Sequence, residues 1–434
     1  MRLKLEGLGR IGKGEVETGR LTIFYGKNHT SKSLLAHGIW GVQRYWQRRI
    51  PDFLSQVLYR RGLLFRLWEQ AKVERERGRI KIGLRATPTQ LNPDFPKWVR
   101  ELFSPEKLTG YLNRRVFGGE VVKRVELEIS PISEFRIDET IYEAPLKSPS
   151  VPDEELAVES LIEGTLERGI LKGIGEAVGL KKEYLHYLPA ARAGFILGLE
   201  YIIDGLLHRE GGREHPFPIG LTGPLKGFLL ELWEFQQQCR FQKRRGTPLL
   251  PQLAQWGRRR ERGEVGKKLL QFLNSRLLKG EFKLEQEIGG VRQLFSSWGR
   301  QVELPLTSTG ALELFPLALL FQRRLSPNHF FIIEEPEAHL HPEAQREVAR
   351  LIALMVNGGL DVLITTHSDY LLYELGNLVR LGKMPPEEQE RQFHRWGVTD
   401  PFSPSDFRLQ LEWVKLYYFS EKGSRVELRP EELI

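Results

Sequence analysis

Residues 21–49 constrain this chain more than any other stretch. Leu21-Thr22-Ile23-Phe24-Tyr25 is a β-branched and aromatic run that ends at Gly26. From Ser33 to about Arg49 the apolar residues Leu34, Leu35, Ile39 and Val42 recur on one side of a helical pattern. Between strand and helix stands Gly26-Lys27-Asn28-His29-Thr30-Ser31-Lys32-Ser33, an approximation to the phosphate-loop pattern G-x-x-x-x-G-K-[ST] in the strand-before, helix-after context that pattern requires. Backbone N–H groups of such a loop, with the helix N-terminus, point at phosphate. Gly26, Lys27, Asn28, Thr30, Ser31, Lys32 and Ser33 are therefore candidate nucleotide contacts. Lys32 suits the β- and γ-phosphates, and the Ser33 hydroxyl suits Mg²⁺. The departure is Ser31, which stands where the pattern has glycine.

Two further strand ends carry chemistry. Phe330-Phe331-Ile332-Ile333 reads as a buried parallel strand, and Glu334 and Glu335 follow at its carboxyl end, where open α/β sheets place their ligands. Glu334 is the candidate Mg²⁺ carboxylate, and Glu335 the candidate base that polarises an attacking water. Val362-Leu363-Ile364-Thr365-Thr366 is a second buried strand, and His367 after it is placed to meet a γ-phosphate. Thr307-Ser308-Thr309-Gly310 opens the helical run Ala311–Leu320, so Ser308 and Gly310 offer either an anion site or an ordinary N-cap.

The remaining chain frames these motifs. Strands are expected at Arg2–Leu5, Arg79–Leu84, Val121–Glu128, Phe282–Glu287 and Gln301–Leu306, with a closing hairpin at Trp413–Phe419 and Arg425–Leu428. Residues 129–152 are rich in Pro and Ser, and 153–280 read as mainly helical, with breaks at Gly211-Gly212 and Thr247–Pro251. The expected organisation is an α/β domain split by an insertion: an N-terminal lobe at 1–128, a mainly helical arm at 129–281 and a C-terminal lobe at 282–434.

Charge is concentrated in that arm. The chain carries +8 overall, and Arg240–Lys268 alone holds ten basic residues against two acidic ones. Lys243, Arg244, Arg245, Arg258, Arg259, Arg260 and Arg262 are candidate phosphate contacts for a nucleic acid, although a solvated Arg-rich helix face would read the same way. The single cysteine, Cys239, excludes an internal disulfide and any cysteine metal cluster. The longest apolar runs, such as Leu314–Phe321, fall short of the roughly 18–20 residues that span a bilayer, and the N-terminus lacks the apolar core of a signal peptide. A cytoplasmic protein without membrane partners is expected.

In their order and spacing, the phosphate loop, long insertion, Ser-x-Gly helix start, Glu-Glu strand and strand-end histidine resemble the ATP-binding-cassette ATPase head. Ile333-Glu334-Glu335-Pro336-Glu337-Ala338-His339-Leu340-His341-Pro342 looks like the Walker B and D-loop of the SMC/RecF-like branch. Within that branch it is most similar to the overcoming-lysogenization-defect (OLD) class and related AAA-type ATPases of prokaryotic defence. Tyr187-Leu188-Pro189-Ala190-Ala191-Arg192 also resembles a strand-end motif of those ATPases. The resemblance implies ATP and Mg²⁺ as cofactors, with nucleotide held by Gly26, Asn28, Lys32 and Ser33. It makes Glu335 the base, His367 the switch histidine, and Ser308 with Gly310 a signature that faces the nucleotide of an opposite protomer. A head-to-head homodimer closing on two ATP molecules follows from it.

OLD-type proteins carry a Toprim nuclease, and the residues after His367 show no such acidic set. An ATPase acting on DNA with a separate effector nuclease is therefore expected. The alternative is an ATP-binding sensor or scaffold with little turnover. A transporter subunit would carry a fuller signature and no such insertion. Gln90 is the candidate for the glutamine that links γ-phosphate to the inserted region. Glu337, His339 and His341 fit a dimer-facing turn better than a metal centre.

Overall fold

The fold is seen in a computed structural model. It describes the chain except residues 55, 57–70, 77–78, 133–134, 143–153, 181–183, 208–220, 242–262, 288–289, 324, 328, 399–400, 423 and 434. Strands β1 (Arg2–Leu8) and β2 (Ile11–Glu17) form a hairpin ahead of β3 (Leu21–Gly26) and α1 (Lys32–Leu54). Strands β4 (Lys72–Glu76) and β5 (Arg79–Ala86) lead to the short α2 (Pro88–Leu91), α3 (Phe95–Leu102) and α4 (Pro105–Tyr111), the last running into a π-helical turn at Leu112–Phe117. Next come β6 (Arg124–Leu127), β7 (Phe135–Tyr142), α5 (Glu154–Val178), β8 (Tyr184–Leu188), α6 (Arg192–Leu207) and α7 (Gly223–Phe241).

The C-terminal part opens with α8 (Glu264–Phe272), then β9 (Glu281–Glu287), β10 (Gly290–Ser297) and β11 (Arg300–Glu303). It continues through α9 (Thr309–Phe321), β12 (His329–Glu334), α10 (Pro342–Asn357), β13 (Asp361–Thr366), α11 (Asp369–Lys383) and α12 (Pro386–Arg395). The hairpin β14 (Val414–Lys422) and β15 (Arg425–Glu431) closes it.

Among the described residues these strands build a nine-stranded mixed sheet in the order β6-β1-β2-β15-β14-β3-β13-β12-β8, with helices on both faces. Its β14-β3-β13-β12-β8 half is parallel. The period-2 alternation of each parallel strand divides its side chains between two cores. Phe24, Phe330, Ile332 and Leu363 pack on one face with α1, α5, α6 and α7. Leu21, Ile23, Phe331, Ile333, Val362 and Ile364 pack on the other with α8, α10 and α11. Helix α9 is buried all round from Ala311 to Phe321, with Glu313 its one charged residue there, and belongs to both cores. Helix α10 presents Val348, Leu351, Ile352 and Met355 to the core as its spacing predicts.

Two sequence expectations change. Gln301–Leu306 is strand only to Glu303, because Pro305 has no N–H for a ladder and Leu304–Leu306 turns as a 3-10 helix. The segment 129–281, expected to be mainly helical, includes among its described residues the strands β7 and β8. Strand β7 pairs with β5 across residue 128, and β8 completes the edge of the main sheet against β12, His329 opposite Tyr184 through Ile333 opposite Leu188. The closing hairpin inserts between the N-terminal strands, β14 parallel to β3 and β15 against β2. The two breaks expected at Gly211-Gly212 and Thr247–Pro251 lie outside the described residues. No helix among those described is long and apolar enough to cross a membrane.

Candidate functional site

The register of the parallel half brings four strand ends to one line. Glu334 pairs with Thr365, Thr366 with Tyr25, and Ile333 with Leu188. The loop after β3, the Glu-Glu turn after β12, His367 after β13 and Pro189–Arg192 after β8 therefore meet at one edge of the sheet.

In the loop 26–33, Lys27, Asn28 and His29 are exposed while Thr30 and Lys32 are buried. Lys32 Nζ donates to the carbonyls of Gly26 and Lys27, each at 2.6 Å, and approaches Thr30 Oγ1 at 3.4 Å. Burial lowers the Lys32 pKa, while the nearby Glu335, Glu337 and Glu334 hold its charge in place. Gly26 has φ +150° and the Cβ it lacks would lie 2.8 Å from the Phe419 carbonyl, so the tight β3–β14 contact requires glycine there.

Ser31 adopts φ +68°, the left-handed conformation that explains why glycine is usual at this position. Its hydroxyl compensates by accepting from Arg10 N–H at 3.1 Å, in the β1–β2 turn. Arg10 in turn donates to the His29 carbonyl at 3.2 Å and pairs with Glu421 at 2.8 Å. The N-terminal hairpin and the C-terminal hairpin thus brace the loop from outside.

Glu334 is 5% exposed. Its Oε1 accepts no hydrogen bond, and Oε2 receives a long one, 3.4 Å, from Ala190 N–H. Burial raises its pKa, opposed by the Ser33 and Tyr187 hydroxyls, Ala190 N–H and Arg192. His37, pushed down to about 4 by burial, is neutral and lies 2.6 Å from the Tyr187 hydroxyl. Its Nε2 is 3.6 Å from Glu334 Oε1. A buried, unpartnered carboxylate oxygen beside a serine hydroxyl is a hard-oxygen donor set of the kind Mg²⁺ takes, the remaining ligands coming from water and phosphate.

Glu335 sits at φ +43°, with its N–H bonded to the Thr365 carbonyl at 2.9 Å. Its half-buried carboxylate is 3.6 Å from His367 Nδ1. Glu337, which the sequence places with His339 and His341 in a dimer-facing turn, is instead buried and locks this turn to β13. Its Oε1 accepts from the Thr366 hydroxyl at 2.5 Å and from His367 N–H at 3.3 Å, and its Oε2 has no hydrogen-bond partner.

Arg192 was quoted in a motif without chemistry, and the structure supplies its work. It is fully buried and donates to the carbonyls of Pro189 at 3.0 Å, Glu334 at 2.8 Å and Glu335 at 3.3 Å. Its Nε lies 3.1 Å from a carboxylate oxygen of the equally buried Glu313. Glu313 also accepts from the N–H groups of Arg192 and Ala193, capping α6 from a neighbouring helix. The signal in the sequence was Glu313 itself, one carboxylate in the apolar run 311–321.

Ser308 and Gly310 start α9. Ser308 is its N-cap, accepting from Ala311 N–H at 3.3 Å, and is exposed. Gly310 packs on the turn after β12, its missing Cβ 3.1 Å from Leu340 Cδ2 and 3.5 Å from the His339 carbonyl. His341 caps α10, and among the described residues no group of three or more His, Cys, Asp or Glu gathers as a metal centre. Gln90 is engaged elsewhere: its side chain accepts from Thr87 N–H at 2.7 Å in a capping box that starts α2. Lys243, Arg244, Arg245, Arg258, Arg259, Arg260 and Arg262 lie outside the described residues.

Residues 234–372, about a third of the chain, match the family described as "AAA domain, putative AbiEii toxin, Type IV TA system". The match takes in Ser308, Gly310, Glu334, Glu335 and His367, and starts well after the loop of Lys32. No curated protein matches the chain. Among solved structures it is similar to an SMC head bound to the C-terminal winged-helix domain of ScpA, at 12% identity over 100% of this chain and 98% of that one, TM-score 0.37. It is also similar to an SMC head with an extended coiled coil bound to the C-terminal domain of ScpA derived from Pyrococcus furiosus, at 12% over 100% and 96%, TM-score 0.36. The SMC head domain from Thermotoga maritima gives 10% over 99% and 98%, TM-score 0.32. These likenesses are weak, and the chemistry of the site follows from its own geometry. Residues 234–372 are similar to that family, and their strand β12 shares one sheet with β3, which leads into the phosphate-loop-like segment outside that match.

Proposed function

We propose that the chain binds Mg·ATP at this line of strand ends and hydrolyses it to ADP and phosphate. The observation that carries the reading is the convergence, by strand register, of Lys32, the orphaned Glu334 oxygen and the Glu335–His367 pair. Lys32 leaves its loop carbonyls to meet the β- and γ-phosphates, and backbone N–H groups of residues 27–33 complete the cradle. Ser33 and Glu334 would hold Mg²⁺, which when bound neutralises charge developing on the phosphates. Glu335 accepts the proton of a water that attacks the γ-phosphorus as the bond to the β-phosphate oxygen breaks. His367 orients that carboxylate and reaches the γ-phosphate.

The exposed helix start at Ser308 and Gly310 supports a homodimer whose heads close over the two nucleotides. Action on DNA through the basic segment 243–262, a separate effector nuclease and a role in genome maintenance or anti-phage defence, as in OLD-like ATPases, complete the proposal.

The test is Mg·ATP turnover of wild type, Lys32→Ala and Glu335→Gln, each with and without duplex DNA, alongside light scattering with ATP. Expected are turnover that both substitutions abolish, a response to DNA, and an ATP-dependent doubling of mass that Glu335→Gln prolongs. Turnover unchanged by Glu335→Gln overturns the assignment of the base. A second reading, an ATP-binding sensor with little turnover, is favoured by Lys32 saturating the Gly26 and Lys27 carbonyls and by Ser31 standing in the left-handed region. Tight ATP binding without turnover in any sample, with a copurifying partner, selects it.

A further inference from the structure

A cleft of about 690 Å³ lies at the far end of α1, sharing no residue with the strand-end site. The rise of an α-helix puts Arg49 about 24 Å along α1 from Ser33. Three helices wall the cleft. Tyr45, Arg49, Asp52 and Phe53 come from one face of α1, Trp98, Glu101 and Leu102 from α3, and Lys107 and Tyr111 from α4, with Arg114 and Arg115 on the π-helical turn that follows.

The cleft is lined by four cations, Arg49, Lys107, Arg114 and Arg115, against two carboxylates, Asp52 and Glu101. Arg49 shares a loose pair, 3.6 Å, with Asp52, both well exposed. Lys107, Arg114 and Arg115 have no carboxylate within ion-pair distance among the described residues, and Arg114 and Arg115 are exposed. Arg44 and Arg48 stand behind them. Burial lowers the Arg44 pKa and the like charge of Arg48 adds to it, while the buried Tyr111 phenol feels Arg48, Arg44, Arg115 and Arg49 together. Cations gathered this closely repel one another, and a multiply charged anion relieves them.

The walls are aromatic. Tyr45 donates to the Leu102 carbonyl at 2.7 Å and meets Tyr111 edge-on at 5.0 Å, and Trp98 is set edge-on to the buried Phe95 at 6.4 Å. Guanidinium forks match phosphate, and aromatic walls with them stack a base. A cleft of this size falls in the range of small-ligand sites.

From these residues we propose that the cleft is a second ligand site that takes a nucleoside phosphate, either a free nucleotide or the 5′-phosphorylated end of a single strand. Arg114, Arg115 and Lys107 hold the phosphate, and Trp98 receives the base. This inference stands apart from the ATPase reading, because the phosphate loop can be silenced separately.

The test is calorimetric titration of Lys32→Ala with AMP, with the dinucleotide pTpT and with pyrophosphate. Expected is one equivalent of AMP or pTpT per chain, weakened at least tenfold by Arg114→Ser/Arg115→Ser and also by Trp98→Ala. Preference for AMP identifies a free nucleotide, and preference for pTpT a strand end. Binding of neither, binding unchanged by the arginine substitutions, or pyrophosphate bound as tightly as AMP overturns the proposal. Should Lys32→Ala fail to fold, wild type and Arg114→Ser/Arg115→Ser are titrated with AMP, since those side chains are exposed. Loss of one AMP equivalent supports the site, and no loss overturns it.

Discussion

Replacing Arg192 by methionine tests the link between the buried ion pair and the strand-end turn. Arg192 and Glu313 are both 0% exposed, so Arg192→Met leaves a carboxylate in the core held by the backbone N–H groups of residues 192 and 193, with His339 Nε2 at 4.0 Å. Breaking such a pair from one side costs about 3–5 kcal/mol. The carbonyls of Pro189, Glu334 and Glu335 lose their donor as well. With a urea dependence of roughly 3 kcal/mol per molar, the unfolding midpoint falls by about 1–1.7 M. Adding Glu313→Gln removes the stranded charge and keeps an oxygen to cap α6, so the double variant recovers about 2 kcal/mol of the loss. Urea unfolding followed by tryptophan fluorescence reads all three midpoints. A single variant within 0.3 M of wild type, or a double variant that recovers nothing, refutes the argument that buried charge dominates here. The double variant is also expected to lack nucleotide turnover, because the carbonyls of Glu334 and Glu335 stay unbraced.

Four further outcomes follow from other parts of the structure. Gly26→Ala drives a Cβ to 2.8 Å from the Phe419 carbonyl between β3 and β14, and is expected to destabilise by about 2–4 kcal/mol in the same unfolding assay. Phe331→Ala empties a fully buried position at the centre of the sheet and lowers stability by about 3–5 kcal/mol. Gln90→Ala removes only a capping interaction, so stability falls by about 1 kcal/mol and Mg·ATP turnover stays at the wild-type rate; a lost turnover would restore the nucleotide-sensing role first expected of it. Glu231, opposed by burial but held by His186 and Arg323, titrates at about 2, below the usual 4.5. Its contribution is therefore full above pH 4.5 and lost as pH falls toward 2, so the roughly 1–3 kcal/mol separating wild type from Glu231→Gln at pH 7 shrinks over that window.

Local sequence determined much of this protein. The apolar runs of β3, β12 and β13 specify buried strands because residues apolar at every position have no face to give to water. The stripe of α10 and the Ser308 cap are equally local. The phosphate-loop pattern named Lys32 and Ser33, and the Glu-Glu strand end named Glu334 and Glu335, since these motifs depend on a few adjacent residues. Tertiary structure alone decided what those residues face. That Glu334 carries an orphaned oxygen depends on register with β8, a strand read only as a motif in a helical block. That Ser31 is tolerated depends on Arg10 donating its N–H from another turn. Arg192 and Glu313 are 121 positions apart, and neither has meaning as a buried charge until the other is beside it. The cleft of Arg49, Lys107, Arg114 and Arg115 is likewise assembled from three helices. Strand and helix follow from side-chain periodicity along one segment, whereas a charge is stabilised or stranded by groups that only the folded chain brings within reach.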